Sequence, residues 1–305
     1  MKVHHRCSPD TVESAIDARV VHDVTRALCS VVTHDDRFVA NDSAWFLKRG
    51  TGRVTPCVMN AAKFLSEKFQ NTLRDECGWE KEKEIAGQVI DAFCALTGTG
   101  RKFRIPADMQ FLDFFRLHFD RTRPPDLRKE FLACWRKFVQ VGINDISEVD
   151  NSYRAFFAET GEGSVTIRVG LEFETGNIAS SFRALDKLET LFVTGLIEYG
   201  VFVTSIDKEH AAARIWPQSN RNGSFAELEN RSYRNNRTVP LWEFGFEPDA
   251  FDPSAPYFNN SVLYEPIATG RMVTHEGVTY DVFMRGKEKL LRPVIPQQNL
   301  DSDAT

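Results

Sequence analysis

Apolar residues recur at every fourth position through Val12, Ile16, Val20, Val24 and Leu28, which predicts an amphipathic helix over about residues 10–32. Trp45-Phe46-Leu47 reads as a short strand inside a Gly/Asn-containing stretch. Pro56 is placed to open a second helix reaching about Asp75, because its fixed φ and missing N–H suit a first helical turn. Residues 85–96 read as a third helix stopped by Thr97-Gly98-Thr99-Gly100. Two more helices are expected over 109–119 and 127–141, divided by Arg123-Pro124-Pro125.

The pattern then changes period. From Thr166 to Glu174 it alternates strictly: Ile167, Val169, Leu171 and Phe173 point one way, while Thr166, Arg168, Gly170, Glu172 and Glu174 point the other. That is a half-buried strand with a polar working face. Thr175-Gly176-Asn177 makes a turn, and a helix to about Thr194 follows, with Ile178, Phe182, Leu185, Leu188 and Phe192 on one face. Residues 199–206 form an almost continuous apolar run, a second strand. Strand–helix–strand favours two parallel strands in one sheet. A further strand is expected over 240–246 and a hairpin around His275-Glu276-Gly277, whereas residues 297–305 read as a disordered tail.

Composition narrows the class. Hydrophobic residues are 42% and charged residues 27% of the 305, with 24 phenylalanines, so a sizeable core is affordable and bulk disorder is excluded. There is no run of 18 apolar residues to span a membrane. The first six residues lack the apolar run of a signal peptide, and the six cysteines include no CxxC pair. Cys29, Cys94 and Cys134 lie in apolar helical patterns as expected core thiols, so a reducing cytoplasm is the expected location and a zinc ribbon is disfavoured. The net charge of −5 gives no hint of a polyanionic partner, but its distribution does. Residues 101–137 carry ten Lys/Arg against five Asp/Glu; residues 138–175 carry two Arg against seven Asp/Glu. A basic segment beside an acidic cluster suits a metal-dependent enzyme acting on a polyanion.

Glu172 and Glu174 stand two apart on a strand, so both carboxylates emerge on one face about 7 Å apart at the backbone. Solvent or a cation must separate them, and Mg²⁺ prefers carboxylate oxygen. Two solvated glutamates on an exposed face are the plainer reading of a bare pair. An upstream acid would complete a metal site: Asp150 first, then Asp145 and Glu148. Asn177 stands at the N-cap of the following helix, with Ser180 and Arg183 in its first two turns. A helix N-terminus attracts phosphate, and Asn and Arg read adenine and guanine edges. Gly98-Thr99-Gly100 and Gly50-Thr51-Gly52 lack a phosphate-loop continuation, and no GxSxG elbow occurs.

The run Arg168-Val169-Gly170-Leu171-Glu172-Phe173-Glu174-Thr175-Gly176-Asn177-Ile178-Ala179-Ser180-Ser181, continuing through Phe182-Arg183-Ala184-Leu185-Asp186-Lys187-Leu188, closely resembles the active-site strand and helix of the BamHI/BglII group of type II restriction endonucleases, in the PD-(D/E)XK nuclease superfamily. The likeness resumes at residues 224–229 and 244–250. It implies an α/β fold: a central mixed sheet flanked by helices, a restriction-endonuclease-like core at about 146–260 and a helical insertion at about 85–145, within one nuclease domain over 1–296. It further implies a homodimer cutting double-stranded DNA at a short palindrome with one or two Mg²⁺ per subunit. Carried over by position, Glu172 is a metal ligand and Glu174 replaces the lysine common to such nucleases as the base. Asp150 is the upstream metal aspartate, set off by a longer loop over 159–164. Asp75 or Glu76 supplies a further carboxylate. Asn177, Ser180 and Arg183 read inner bases of a GATC-centred site, and Asn220-Arg221 stands where the group has an Asp-Arg pair for outer ones. A Mg²⁺-dependent nuclease outside restriction, or a DNA-binding relative without activity, is the nearest alternative. A two-carboxylate glycoside hydrolase fits poorly, because its acid and base must flank a sugar from opposite sides.

Overall fold

A computed structural model describes residues 1–10, 12–41, 43–57, 59–104, 158–175, 178–206, 237–259 and 262–294. The expected helices over 109–119 and 127–141, Cys134, Asp145, Glu148, Asp150, Asn177, Asn220, Arg221 and the tail 297–305 lie outside the described residues.

The elements in chain order begin with β1 (Lys2–Cys7), α1 (Ser14–Cys29), β2 (Val39–Ala40), β3 (Trp45–Lys48), β4 (Val54–Cys57) and α2 (Ala62–Cys77). Next come β5 (Glu80–Ile85), β6 (Gln88–Arg104), β7 (Ala158–Phe173), α3 (Ile178–Val193), β8 (Tyr199–Ser205) and β9 (Leu241–Glu247). The short β10 (Ala250–Phe251), β11 (Tyr257–Phe258) and β12 (Leu263–Tyr264) precede β13 (Ile267–His275), β14 (Val278–Arg285) and β15 (Glu288–Pro293).

The main sheet has the order β1-β9-β8-β7-β6-β5. β5, β6 and β7 run antiparallel, β7, β8 and β9 run parallel, and β1 closes the far edge antiparallel to β9. The β7–α3–β8 unit thus joins two parallel strands, as its sequence pattern predicts. One sheet face carries Val169, Leu171, Phe173, Val201, Val203, Trp242, Phe244 and Phe246, packed with Ile16, Val20, Val24 and Leu28 of α1 and Phe64, Leu65, Phe69 and Leu73 of α2. The other face lies under α3, whose Ala184, Leu185, Leu188 and Leu191 join Ile90, Phe93, Ile197 and Phe202. The result is a three-layer α/β/α arrangement.

Three expectations change. Residues 85–96 are not a helix: they form the β5–β6 turn at Ala86-Gly87, both at positive φ, and the first half of β6. Ala92 and Cys94 face α1 and α2 while Ile90 and Phe93 face α3. A strand buried on both faces loses its period-two signature and reads like a buried helix. The Gly98-Thr99 step is therefore strand interior, where Thr99 donates its backbone N–H to Glu13 Oε1 and a side chain at Gly98 would collide with Glu13 and Ile16. Pro56 belongs to β4, not α2; β4 is a sheet edge, where a missing N–H is tolerated. Cys29 is exposed on the last turn of α1, although Cys94 is buried as expected.

A second, antiparallel sheet orders β13-β14-β15-β3-β4. Its β13–β14 hairpin turns at Glu276-Gly277, both at positive φ, as the sequence predicts. Among the described residues, no helix is long and apolar enough to cross a membrane.

Candidate active site

β7 ends at the site. Its odd-numbered residues from Ile167 to Phe173 fill the core beneath α1 and α2, so Glu172 must face the opposite way. That face is not solvent. α3 covers it, and Glu172 is only 3% exposed. Glu174 follows the strand, its backbone N–H still donating to Val203 O at 2.8 Å, and is half-buried. The expected pairing of the two glutamates holds: each feels the other's charge or that of the same neighbours, Asp91 and Lys187.

Asp91 is the third carboxylate. It lies on β6 one residue beyond the Ala92↔Leu171 pair, beside Glu172. Its Oδ2 accepts the Phe173 backbone N–H at 2.7 Å and its Oδ1 accepts Gln70 Nε2 at 3.0 Å. Lys187, from α3, supplies the nearest ammonium. Its Nζ donates to Glu172 Oε1 at 2.7 Å and to Val89 O at 2.8 Å.

Among the described residues, three acids face Lys187 and Arg183, which leaves excess negative charge in a poorly hydrated place. Burial, then the charge of Asp91, pushes Glu172 up to about 8, with Lys187 opposing. The same two causes push Glu174 up to about 7 against Arg183 and Lys187. Burial also raises Asp91. Displaced carboxylates gathered in one cluster are an arrangement that active sites commonly use.

The other sequence candidates divide. Ser180 and Arg183 share the outer face of α3's first turns, where Arg183 Nη2 donates to Ser180 Oγ at 3.3 Å. Both stand on the cluster's side of the sheet, and the Arg183 charge acts on Glu174. Asp75 and Glu76 stand away from the cluster at the end of α2, bound to Arg74 at 2.7 Å and to Arg26 at 2.6 Å. Asp75 is five residues beyond Gln70, about 140° round the helix, so α2 reaches the cluster with Gln70 instead. Sequence reasoning missed Asp91, Gln70 and Lys187. Asp91 was hidden by the helical reading of 85–96. Lys187 had a signal in its position beside the apolar stripe of α3.

Among the described residues, no three His, Cys, Asp or Glu side chains stand together closely enough to hold a metal ion as they are. The donor set nevertheless fits a hard cation. Asp91, Glu172 and Glu174 offer only carboxylate oxygen, their mutual repulsion calls for positive charge, and among the described residues no hydrogen-bond donor reaches Glu172 Oε2 or the Glu174 side-chain oxygens.

A mixed sheet of this order flanked by helices is consistent with the class of restriction-endonuclease-like nucleases. Residues 3–259 match the family model described as restriction endonuclease BamHI, and the chain belongs to that family, as a type II site-specific endonuclease acting on DNA. No curated protein matches the chain. Strands β13 to β15 lie beyond the matched residues and complete the second sheet with β3 and β4.

Proposed function

We propose that this enzyme hydrolyses both strands of double-stranded DNA at a short palindrome, GATC-centred, as a homodimer with one or two Mg²⁺ per subunit. The observation that carries the reading is the cluster of Asp91, Glu172 and Glu174 beside Lys187, in a member of this family. Asp91 and Glu172 are the residues that would hold the cation, with Asp91 oriented by Gln70 and the Phe173 N–H. Asp150 stays a sequence-based candidate for the same task. A bound Mg²⁺ would supply Lewis-acid charge stabilisation at the scissile phosphate and a lowered pKa for water.

Glu174 takes the proton from the attacking water. A base poised near the working pH is the most effective, and burial beside Asp91 has raised this carboxylate to about 7. In this reading Ser180 and Arg183 in the first turns of α3, with Asn177 just before it in the sequence, serve the inner base pairs, and Asn220 and Arg221 the outer ones. Asn220 carries donors as well as an acceptor, so discrimination at an outer pair shifts by about 1–3 kcal/mol from that of an aspartate. Two identical subunits facing a duplex read a palindrome by symmetry.

Incubation with plasmid DNA, with and without EDTA, followed by sequencing of the fragment ends, tests this. Unique ends sharing a GATC core, lost with EDTA, are expected. Cutting insensitive to EDTA would remove the metal from the reading, and ends without that core would remove the assignment of Asn177 and Arg183.

A further inference from the structure

We propose that Lys187 is a positioning residue of the nuclease site: from the third turn of α3 it fixes the orientation of the Glu172 carboxylate on which cleavage depends. The inference rests on the nuclease reading above. The strand that carries the two glutamates has no free cation of its own. Its Arg168 is committed to Glu198, donating Nε to Oε2 at 3.0 Å, and to Gly195 O at 3.2 Å. Position 174, the next outward residue after Glu172, is an acid. A cation for the cluster must therefore come from another element.

α3 supplies it. Leu185, Leu188 and Leu191 bury into the sheet, and Lys187 sits on the flank of that stripe, 27% exposed, its stem long enough to reach the strands. The ammonium makes two directional bonds, to Glu172 Oε1 on β7 and to the carbonyl of Val89 on β6. Val89 is two residues before Asp91. One group thereby ties the strand of Asp91 to the strand of Glu172 from above, and fixes the separation of two of the three acids. It also takes one particular oxygen of Glu172. Among the described residues Oε2 accepts no donor and stays available to a cation, and the third Lys187 N–H has no partner. An exposed surface pair would not behave so, since one partner here is almost fully buried and the lysine is anchored at a second point.

A lysine that only balances charge competes with a metal, so removing it helps the metal and spares the rate. A lysine that positions Glu172 leaves a disordered carboxylate behind, and misplacement of about 1 Å costs ~100-fold in rate. The full-length protein carrying Lys187→Met separates the two. Expected are wild-type affinity for cognate DNA in EDTA, Ca²⁺ binding by calorimetry no weaker than wild type, and a single-turnover cleavage rate ~100-fold lower that excess Mg²⁺ does not restore. A rate close to wild type at saturating Mg²⁺ overturns the proposal. Lys187→Ala is the second handle. Added methylammonium restores cleavage if the ammonium positions Glu172; absence of rescue, with a lowered melting temperature in both variants, assigns Lys187 to packing and also overturns it. Glu172→Gln run in parallel isolates the underlying reading: if that variant cuts normally, the site assignment itself fails, whereas an inactive Glu172→Gln beside an active Lys187→Met rejects the role of Lys187 alone.

Discussion

Glu172→Gln should stabilise the metal-free protein while abolishing cleavage. The folded state raises this carboxyl from 4.5 to about 8, chiefly through burial. A raised carboxyl binds its proton more tightly when folded. Its contribution to stability is therefore full below pH 4.5 and is lost as pH rises through about 8. At pH 7 the unfolded chain has released the proton and the folded chain keeps it. Keeping it there, 7 − 4.5 = 2.5 pH units above its ordinary value, costs about 3 kcal/mol at 1.36 kcal/mol per unit. Glutamine avoids this cost, is similar in shape, and still offers the Lys187 ammonium an acceptor oxygen. We expect a net gain of about 1–3 kcal/mol at pH 7 and above, which raises the melting temperature by ~2–4 °C per kcal/mol. Thermal melts of both proteins in EDTA from pH 5 to pH 8.5 read it directly. The variant's advantage should be near zero at the acid end and grow with pH. Ca²⁺ should then stabilise the wild type more than the variant, because only the wild type gains binding free energy from the full carboxylate set. An advantage that is flat with pH, or a variant less stable than wild type throughout, would refute the picture of Glu172 as a buried, under-compensated acid.

Three further outcomes bear on the same site. Asp91→Asn should eliminate cleavage while Asp150→Asn retains it, measured on plasmid at saturating Mg²⁺; the reverse result would return the third carboxylate to Asp150. Glu174→Lys should lose at least ~100-fold in single-turnover rate, because it removes the proposed base and adds a cation beside Lys187 and Arg183; wild-type rates would show that the position needs only a charge. Thr204 on β8 has a fully buried hydroxyl with no hydrogen-bond partner among the described residues. Thr204→Val should therefore raise stability in urea melts by about 1 kcal/mol, and a loss instead would mean that an ordered water satisfies the hydroxyl.

What the sequence disclosed depended on how many faces each element buries. α1 and α3 each pack one face on a sheet, and apolar residues such as Ile16, Val20, Val24 and Leu28 in α1 and Leu185, Leu188 and Phe192 in α3 announce it at the right spacing, although Phe182 is exposed. β7 was legible because one of its faces is wholly apolar and the other polar. β6 packs Ala92 and Cys94 one way and Ile90 and Phe93 the other, so no alternation survives and only the Ala86-Gly87 turn marks its start. Pro56 misled because a proline suits a first helical turn and an edge strand equally, and only the β3–β4 pairing decides between them.

The site divides along the same line. Glu172 and Glu174 could be placed together from sequence because strand geometry alone puts them on one side. Asp91, Gln70 and Lys187 reach the cluster across a strand register, from α2 and from α3, and none of those distances is written in local spacing. One trace of them was nevertheless present. A strand whose polar face bears two acids, followed at once by a helix with the apolar stripe Leu185, Leu188 and Leu191, sets two rules against each other: the helix must cover that face, and the acids must not be covered. Functional sites are where folds commonly keep such a conflict, and in this chain it lies at the carboxylates of Glu172 and Glu174, the residues to which the proposed reaction is assigned.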